Sequence, residues 1–499
     1  MQSAALVGVD AVPVDVEVDV SFGLPAFAIA GLAATSEQDA RERVRAAVKN
    51  SHRDVPARRI LVNLAPADVR KEGAAFDLPI ALGLLVATGQ LRPGVVDGVM
   101  AVGELSLDGR VRPTPGVLAV ALLARRLGVR RLLVPNANAS EAAAAGLAVV
   151  PVETVLEAVE VMEGRAAPRP VPAAPRESRV RHEVDFAEIK GQAHARRALV
   201  VAAAGGHHLL LLGPPGAGKT MLARRLPTIL PPLGPDEALE VTKIHSVAGL
   251  VPPGVGLLSV RPFRAPHHTT SRQALVGGGS IPRPGELSLA HHGVLFLDEL
   301  PEFHRDALEV LRQPLEEGVI TIARVQMSVT LPARVMLAAA MNPCPCGYFG
   351  DARRPCGCTP PQVGRYRARI SGPLLDRFDL HVEVPRLPPD DVAAAPAGED
   401  SAVLRARVLA ARVIQRRRFG RRRTGVNGRM SGRALRRFCP LEPGAAQLLR
   451  AATERLALSA RAYDRVLRVS RTIADLDGVD SDEGITARHV AEALQYRLP

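Results

Sequence analysis

Eight consecutive residues, Gly213-Pro214-Pro215-Gly216-Ala217-Gly218-Lys219-Thr220, have the G-x-x-x-x-G-K-[ST] spacing of a phosphate-binding loop. Glycines let the backbone curl until several N–H groups point inward, and a following helix N-terminus adds partial positive charge. In that chemistry Lys219 reaches the β/γ-phosphates and the Thr220 hydroxyl holds Mg²⁺. Downstream, Val294-Leu295-Phe296-Leu297 is an apolar run ending in Asp298-Glu299. Two carboxylates at a strand end beside such a loop divide the work: Asp298 for Mg²⁺, Glu299 to orient and polarise the attacking water. A further apolar run over 335–340 ends at Met341-Asn342. Asn342 is placed to touch the γ-phosphate or the water, or else simply terminates its strand. Cys344, Cys346, Cys356 and Cys358 form C-x-C-x₉-C-x-C, with Pro345, Gly347, Gly350, Pro355 and Gly357 for turns. Four thiolates in two close pairs suit tetrahedral Zn²⁺, with free or redox thiols and a labile disulfide as the alternatives.

These groups need elements to hold them. Leu209-Leu210-Leu211-Leu212 has buried-strand length, and residues 221–226 read as the helix behind the loop. Residues 318–331 read as a hairpin between the Asp298 strand and the Asn342 strand, with Arg324-Val325-Gln326 at its tip. A cation and an amide there suit phosphate contact, while an element of a subunit interface is the other reading. The pairs His207-His208, His267-His268 and His291-His292 are expected to be structural rather than metal ligands.

At 499 residues the chain exceeds one ordinary core, and a 47% apolar share gives each of several domains a core of its own. No uninterrupted apolar run reaches 18 residues, and the start Met1-Gln2-Ser3-Ala4 lacks a basic leader, so a cytoplasmic protein without membrane contact is expected. The formal charge is +13, and thirteen arginines with no acidic residue fall between 405 and 437. Such a block favours a polyanion, although a solvated basic helix gives the same composition. With aromatics at 3%, nucleic acid would be held through phosphates rather than by stacked bases.

The order of elements gives an α/β multidomain chain. Residues 12–20 alternate valine with acidic residues, a half-exposed strand; 25–32 and 59–64 read as two more. Ser36 is expected to cap a helix over 37–49, 77–86 to be a core helix, and 99–111 a hairpin turning at Asp108-Gly109. An α+β domain over 1–165 is followed by a proline-rich linker (166–184), a core over 185–390 carrying the cysteine insertion (344–358), and a helical domain over 391–499.

Two resemblances add to this. Gly103-Glu104-Leu105-Ser106-Leu107-Asp108-Gly109-Arg110-Val111 and Pro113-Thr114-Pro115-Gly116 look like a segment of Lon-type protease domains. The family's catalytic Ser position falls on Ala75 and its Lys position near Leu118, so the resemblance implies a catalytically dead scaffold. The series GPPGAGKT, VLFLDE, Asn342, GPLLDRFDL and a small helical domain resembles AAA+ ATPases of the magnesium-chelatase-like branch. Together with RPFRAPHH and MNPCPCGYFGD, it is similar to the ComM/YifB family. That resemblance implies an AAA+ P-loop core with a parallel sheet and a helical lid, ATP and Mg²⁺ as substrate and cofactor, and a hexamer driving DNA branch migration on single-stranded and branched DNA. It implies that Arg377 acts as an arginine finger on the neighbour's ATP and that a lid arginine acts in cis: Arg461, with Arg465 and Arg468 as rivals. A motor subunit that remodels a partner protein, as in magnesium chelatase, is the alternative.

Overall fold

The valine alternation becomes one strand, Asp10–Ser21, with Val14 and Val16 buried and Asp15, Glu17 and Asp19 exposed. The computed structural model describes residues 1–71, 73–172, 183–279, 282–323, 328–351, 353–388, 390, 396, 398–420, 425–480 and 483–497. Asp10–Ser21 pairs antiparallel with Gln2–Val7 and with Arg59–Ala65. Seven strands then follow the order Ala26–Ala30, Arg59–Ala65, Asp10–Ser21, Gln2–Val7, Val99–Ala101, Arg131–Pro135, Val149–Val152. One face buries side chains against helices Ala34–Asn50, Asp77–Ala87 and Val155–Met162, and the other against Val117–Arg126 and Ala139–Ala143.

Three expectations need correction here. Ser36 is not the cap: the helix starts at Ala34, and the Glu37 carboxylate instead reaches back to accept the Ile29 N–H at 3.0 Å. Val99–Ala101 joins the main sheet parallel to Arg131–Pro135, so the hairpin shrinks to Glu104–Leu105 against Val111–Arg112. The first strand, Gln2–Val7, went unforeseen because Ser3, Ala4 and Ala5 are all buried and leave no alternation to read.

The second sheet has five strands, all parallel, in the order Phe263–Arg264, Val294–Leu297, Met336–Met341, Leu209–Leu212, Leu380–Glu383. Val294–Leu297 and Met336–Met341 are buried at every position, the period-free apolar run of a sheet covered on both faces. Helices Ser401–Phe419, Pro443–Arg455, Ala460–Leu476 and Ala487–Gln495 form the lid and share a core with helix Ala193–Gly205.

Several arginines of the basic block turn inward. Arg405 donates to the Thr228 carbonyl at 2.9 Å and Arg412 to the Ala203 carbonyl at 2.7 Å, while Arg418 is fully buried. Arg405 and Arg412 are mortar between core and lid, while Arg407, Arg416, Arg417, Arg429, Arg433, Arg436 and Arg437 remain exposed. Among the described residues no helix is long and apolar enough to cross a membrane.

The N-terminal sheet seats directly on the core. Asp10 pairs with Lys243 at 2.8 Å, and the Gly116 N–H donates to the Ser246 carbonyl at 2.9 Å. At the turn after the first strand, Gly8 has φ +64°, and a Cβ there would lie 2.3 Å from Val329 Cγ1 of the hairpin. That hairpin pairs Val319–Ala323 with Ser328–Pro332.

Buried in the lid, the Asp475 carboxylate accepts from Arg418 at 2.5 and 2.9 Å, Arg471 at 3.0 Å and Asn427 at 2.7 Å. Asp475→Ala leaves two guanidiniums facing each other without a counter-charge. A loss of about 3–5 kcal/mol is expected in denaturant unfolding; a loss below about 1 kcal/mol counts against this network as the lid's anchor.

Candidate nucleotide site

The phosphate loop leaves the carboxyl end of Leu209–Leu212, with Met336–Met341 and Leu380–Glu383 on its flanks. Gly213 passes so close to the next strand that a Cβ would lie 2.1 Å from the Val384 carbonyl oxygen. Gly216 and Gly218 have φ +77° and +90°, conformations that glycine adopts freely. Helix Lys219–Ile229 begins at the end of the loop.

Lys219 Nζ donates to the carbonyls of Gly213 at 2.6 Å and Pro214 at 2.9 Å, and to Asn342 Oδ1 at 3.1 Å. Asn342 thus meets the loop lysine across the strand boundary. Burial lowers the Lys219 pKa, against the opposing pull of Asp298 and Glu299. The Thr220 hydroxyl donates to Asp298 Oδ2 at 2.6 Å. A hydroxyl and a carboxylate oxygen in contact are the hard-oxygen donors that Mg²⁺ accepts, so Thr220 and Asp298 fit that ion. When bound, the ion would neutralise phosphate charge beside Lys219.

Glu299 occupies the left-handed region at φ +51°, a strained place for a carboxylate residue. Its backbone N–H donates to Asp298 Oδ1 at 3.0 Å, and its own carboxylate stands half exposed, 3.4 Å from His268 Nδ1. The strain turns the side chain off the strand line, toward where water is available. His268, expected to be structural, is thereby drawn into the site as the partner of Glu299; adjacent histidines alone carry no such signal.

The other histidine pairs are structural. His291 Nδ1 accepts the Arg334 backbone N–H at 3.0 Å, which leaves the proton on Nε2, and Nε2 donates to Glu240 Oε2 at 3.0 Å. A protonated Nε2 has no lone pair for a metal, so the Glu240–His291–His292 cluster is a hydrogen-bonded brace. His208 Nδ1 likewise accepts the Leu337 N–H, and burial lowers that ring's pKa to about 4.

Immediately after Asn342, the cysteine insertion folds back over the phosphate loop. Sγ separations are 3.4 Å for Cys344–Cys346 and 3.6 Å for Cys344–Cys356 and Cys346–Cys356, and all four sulfurs lie within 4.8 Å of one another. Tetrahedral Zn²⁺ with bonds of about 2.3 Å places thiolates about 3.8 Å apart, so this sulfur set fits the ion. Backbone N–H groups of Phe349 and Cys358 donate to Cys344 and Cys356. At Gly347 a Cβ would lie 2.5 Å from Pro215 Cδ, and Arg386 donates to the Pro215 carbonyl at 2.8 Å while its guanidinium lies over the Tyr348 ring.

Arg377 lies at the other end of the sheet. It directly precedes the strand Leu380–Glu383, and the Asp379 and Leu380 N–H groups bond to the His208 carbonyl, at the amino end of the loop strand. A four-residue strand spans about 13 Å, beyond the reach of an arginine side chain. Arg377 instead pairs with Glu316 and lines a cavity of about 460 Å³ together with Arg334, Arg429, Arg461, Arg465 and Arg468. Arg377 Nε, Arg465 Nη1 and Arg468 Nε are buried there without hydrogen-bond partners among the described residues. Within one chain the lid arginines stand away from the phosphate loop, not over it as a cis role requires. Arg461 and both its rivals share the Arg377 cavity, because helix Ala460–Leu476 packs behind the core rather than over the loop. The hairpin forms as expected, but Arg324 and Gln326 lie outside the described residues. Ala75 lines a cavity of about 530 Å³ between the N-terminal sheet and helix Pro235–Val247, and Leu118 is buried.

Family profiles match this chain in three blocks. Residues 185–392 match the profile described as magnesium chelatase, subunit ChlI, residues 16–138 match subunit ChlI of Mg-chelatase, and residues 398–497 match the subunit ChlI C-terminal region. YifB of Escherichia coli is 45% identical over 507 residues, covering 100% of this chain and 96% of the relative. The competence protein ComM of Haemophilus influenzae is 45% identical over 504 residues, covering 99% and 96%. The chain belongs to the ComM/YifB family. A Lon protease of Chloroflexus aurantiacus is 32% identical over 109 residues, 20% of this chain and 13% of that protein. Membership in the ComM/YifB family makes this a magnesium-chelatase-like AAA+ protein that uses nucleotide and Mg²⁺.

Lys219 and Glu299 should fail differently. Lys219→Ala removes a phosphate contact, so nucleotide binding and turnover both fall. Glu299→Gln keeps the shape but loses the charge that polarises water, so ATP stays bound while hydrolysis drops by about 10²-fold or more. Filter-bound nucleotide and phosphate release measure the two; equal hydrolysis by wild type and Glu299→Gln removes Glu299 from the role of base.

Proposed function

We propose that this protein is an ATP-driven ring motor, a hexamer that moves DNA and promotes branch migration during homologous recombination and the integration of incoming DNA. The observation that carries the ring is the split site. Phosphate-binding groups stand at the carboxyl end of a parallel sheet, and partner-poor arginines line a cavity at its amino end. One chain cannot bring them together, whereas head-to-tail neighbours can, and closure of that contact gives a ring. Arg377 then contacts the neighbour's γ-phosphate, where charge builds as the bond to the leaving group breaks. Arg461, Arg465 and Arg468 approach the same nucleotide in trans. Glu299 accepts a proton from the attacking water, and Asn342 and Lys219 hold the phosphate chain in line.

DNA as the track is supported by a relative named for competence and by the hairpin, which joins the Asp298 strand to the Asn342 strand and ends in Arg324 and Gln326. Exposed arginines of the lid add a sequence-independent hold on phosphates, so binding weakens steeply as salt rises. The N-terminal domain, Lon-like in sequence but with Ala75 and Leu118 at the dyad positions, acts as a scaffold. Cys344, Cys346, Cys356 and Cys358 hold one structural Zn²⁺ that keeps Gly347 against Pro215.

Arg377→Ala is expected to bind ATP and not hydrolyse it. Mixed with Lys219→Ala in rings shown to exchange subunits, it should regain activity at interfaces pairing an intact loop with an intact finger; no rescue in verified mixed rings counts against the trans role. Wild-type protein should move a four-way junction in an ATP-dependent way, with movement lost in Arg324→Ala while basal ATPase stays near normal. An ATP-hydrolysing ring that neither binds nor moves DNA would favour a protein-remodelling motor.

Elemental analysis of protein purified without chelator should find about one zinc per chain. Its removal should lower both the melting temperature and the affinity for ATP. Metal-free, folded protein with unchanged nucleotide binding sinks the zinc assignment.

A further inference from the structure

Beside the large arginine cavity, the seam between core and lid encloses a smaller one of about 80 Å³. Four guanidiniums line it. Arg261 and Arg334 come from the core, Arg412 from helix Ser401–Phe419 of the lid, and Arg429 from the short turn Asn427–Arg429. Glu237 is the carboxylate of that lining. Arg261 uses it, at 2.7 Å, and spends its other N–H groups on the carbonyls of Pro231, Pro232 and His292. Glu240, the next carboxylate along the helix, is committed to His291 and His292.

The remaining three cations are poorly served. Arg412 makes one bond, to the Ala203 carbonyl, and its Nε is buried without a partner among the described residues. The side chains of Arg334 and Arg429 make no hydrogen bond or ion pair with any described residue. Burial, with Arg261 and other arginines close by, pushes the Arg412 pKa down to about 9; burial and Arg334 push that of Arg429 to about 10. Crowding like charges in a half-buried seam is unfavourable unless an anion joins them. Guanidinium forks match the oxygens of a tetrahedral oxyanion, which offers acceptors in several directions at once. The cavity has about half of the ~150 Å³ that accommodates benzene, which suits one five-atom ion and excludes a nucleoside. Arg429 is exposed at the mouth of the seam, which gives a free ion its way in.

We propose that this seam is a binding site for a small tetrahedral oxyanion, inorganic phosphate or sulfate, which ties the core arginine Arg334 to the lid arginines Arg412 and Arg429. The ion acts as a removable rivet. With it bound the lid is held to the core, and without it Arg334 repels Arg412 and Arg429 across the joint.

The test uses nucleotide-free, full-length protein. Phosphate and, separately, sulfate are titrated against sodium chloride at matched ionic strength, with calorimetric melting and equilibrium dialysis of phosphate as readouts. Wild type should show a saturable rise in Tm that chloride does not reproduce. Arg412→Gln leaves the phosphate loop and the Arg377 cavity intact, yet should weaken this response at least tenfold, with Arg412→Lys between the two. In oxyanion-free buffer Arg412→Gln should melt no lower than wild type, because repulsion is relieved; simple loss of packing lowers it instead. Should Arg412→Gln fold poorly, Arg412→Lys answers the same question, because Arg412 does not line the Arg377 cavity. Equal response to chloride and sulfate, or a full phosphate response in both variants, overturns the site. A response to a single-stranded oligonucleotide but not to free phosphate, lost in Arg412→Gln, also overturns it and assigns the seam to a nucleic-acid backbone.

Discussion

In a sheet whose strands all run one way, backbone direction sorts chemistry by end. Here the carboxyl ends of Leu209–Leu212, Val294–Leu297 and Met336–Met341 deliver Lys219, Thr220, Asp298, Glu299 and Asn342 to one small volume. The amino ends of the same strands, with the lid behind them, gather arginines. The sheet interior between them is apolar at every position of its two central strands, which fixes their separation. Folding one chain therefore completes half of a charge-complementary pair at each end. The placement of the loop and of the carboxylates depends on that rigid, dry spacer.

The arginines pose the molecule's main electrostatic problem, and it is solved differently in different places. Deep in the lid, Arg418 and Arg471 share Asp475, so charge is balanced within the fold. Near His207, burial opposes the charge of Asp379, but the His207 hydrogen bond holds its carboxyl well below the usual range beside Arg465. At the amino-end cavity the balance is left incomplete, with Arg377, Arg465 and Arg468 each holding an unpartnered nitrogen. Arg377 and Arg465 do pair with acids of the same chain, Glu316, Asp376 and Asp379, yet each still holds a nitrogen without a hydrogen bond among the described residues.

Much of the nucleotide site was legible in the sequence because its groups are close to the strand ends that the apolar runs define. The loop, Asp298, Glu299 and Asn342 all follow four to six apolar residues directly, so one-dimensional spacing carries over to space. What could not be read depends on long-range packing. His268 meets Glu299 only because an edge strand of two residues, Phe263–Arg264, pairs with Val294–Leu297. The placement of Arg461 in the Arg377 cavity could not be read because helix periodicity says which face is buried, never which end of another sheet it is buried against. Nor can composition distinguish an arginine of the basic block that faces solvent from one that bonds to Ala203 or Thr228.

The contact of Gly8 with Val329 has a mechanical meaning. A glycine in the left-handed region, touching a valine of the hairpin more closely than any side chain would allow, is a bearing surface with no slack. A stroke of that hairpin cannot be taken up by idle compliance at its base. Any displacement there would pass to Gln2–Val7 and so to the seven-stranded sheet it belongs to. Substitution is therefore least tolerated at this pivot, where any side chain on Gly8 would have to displace Val329.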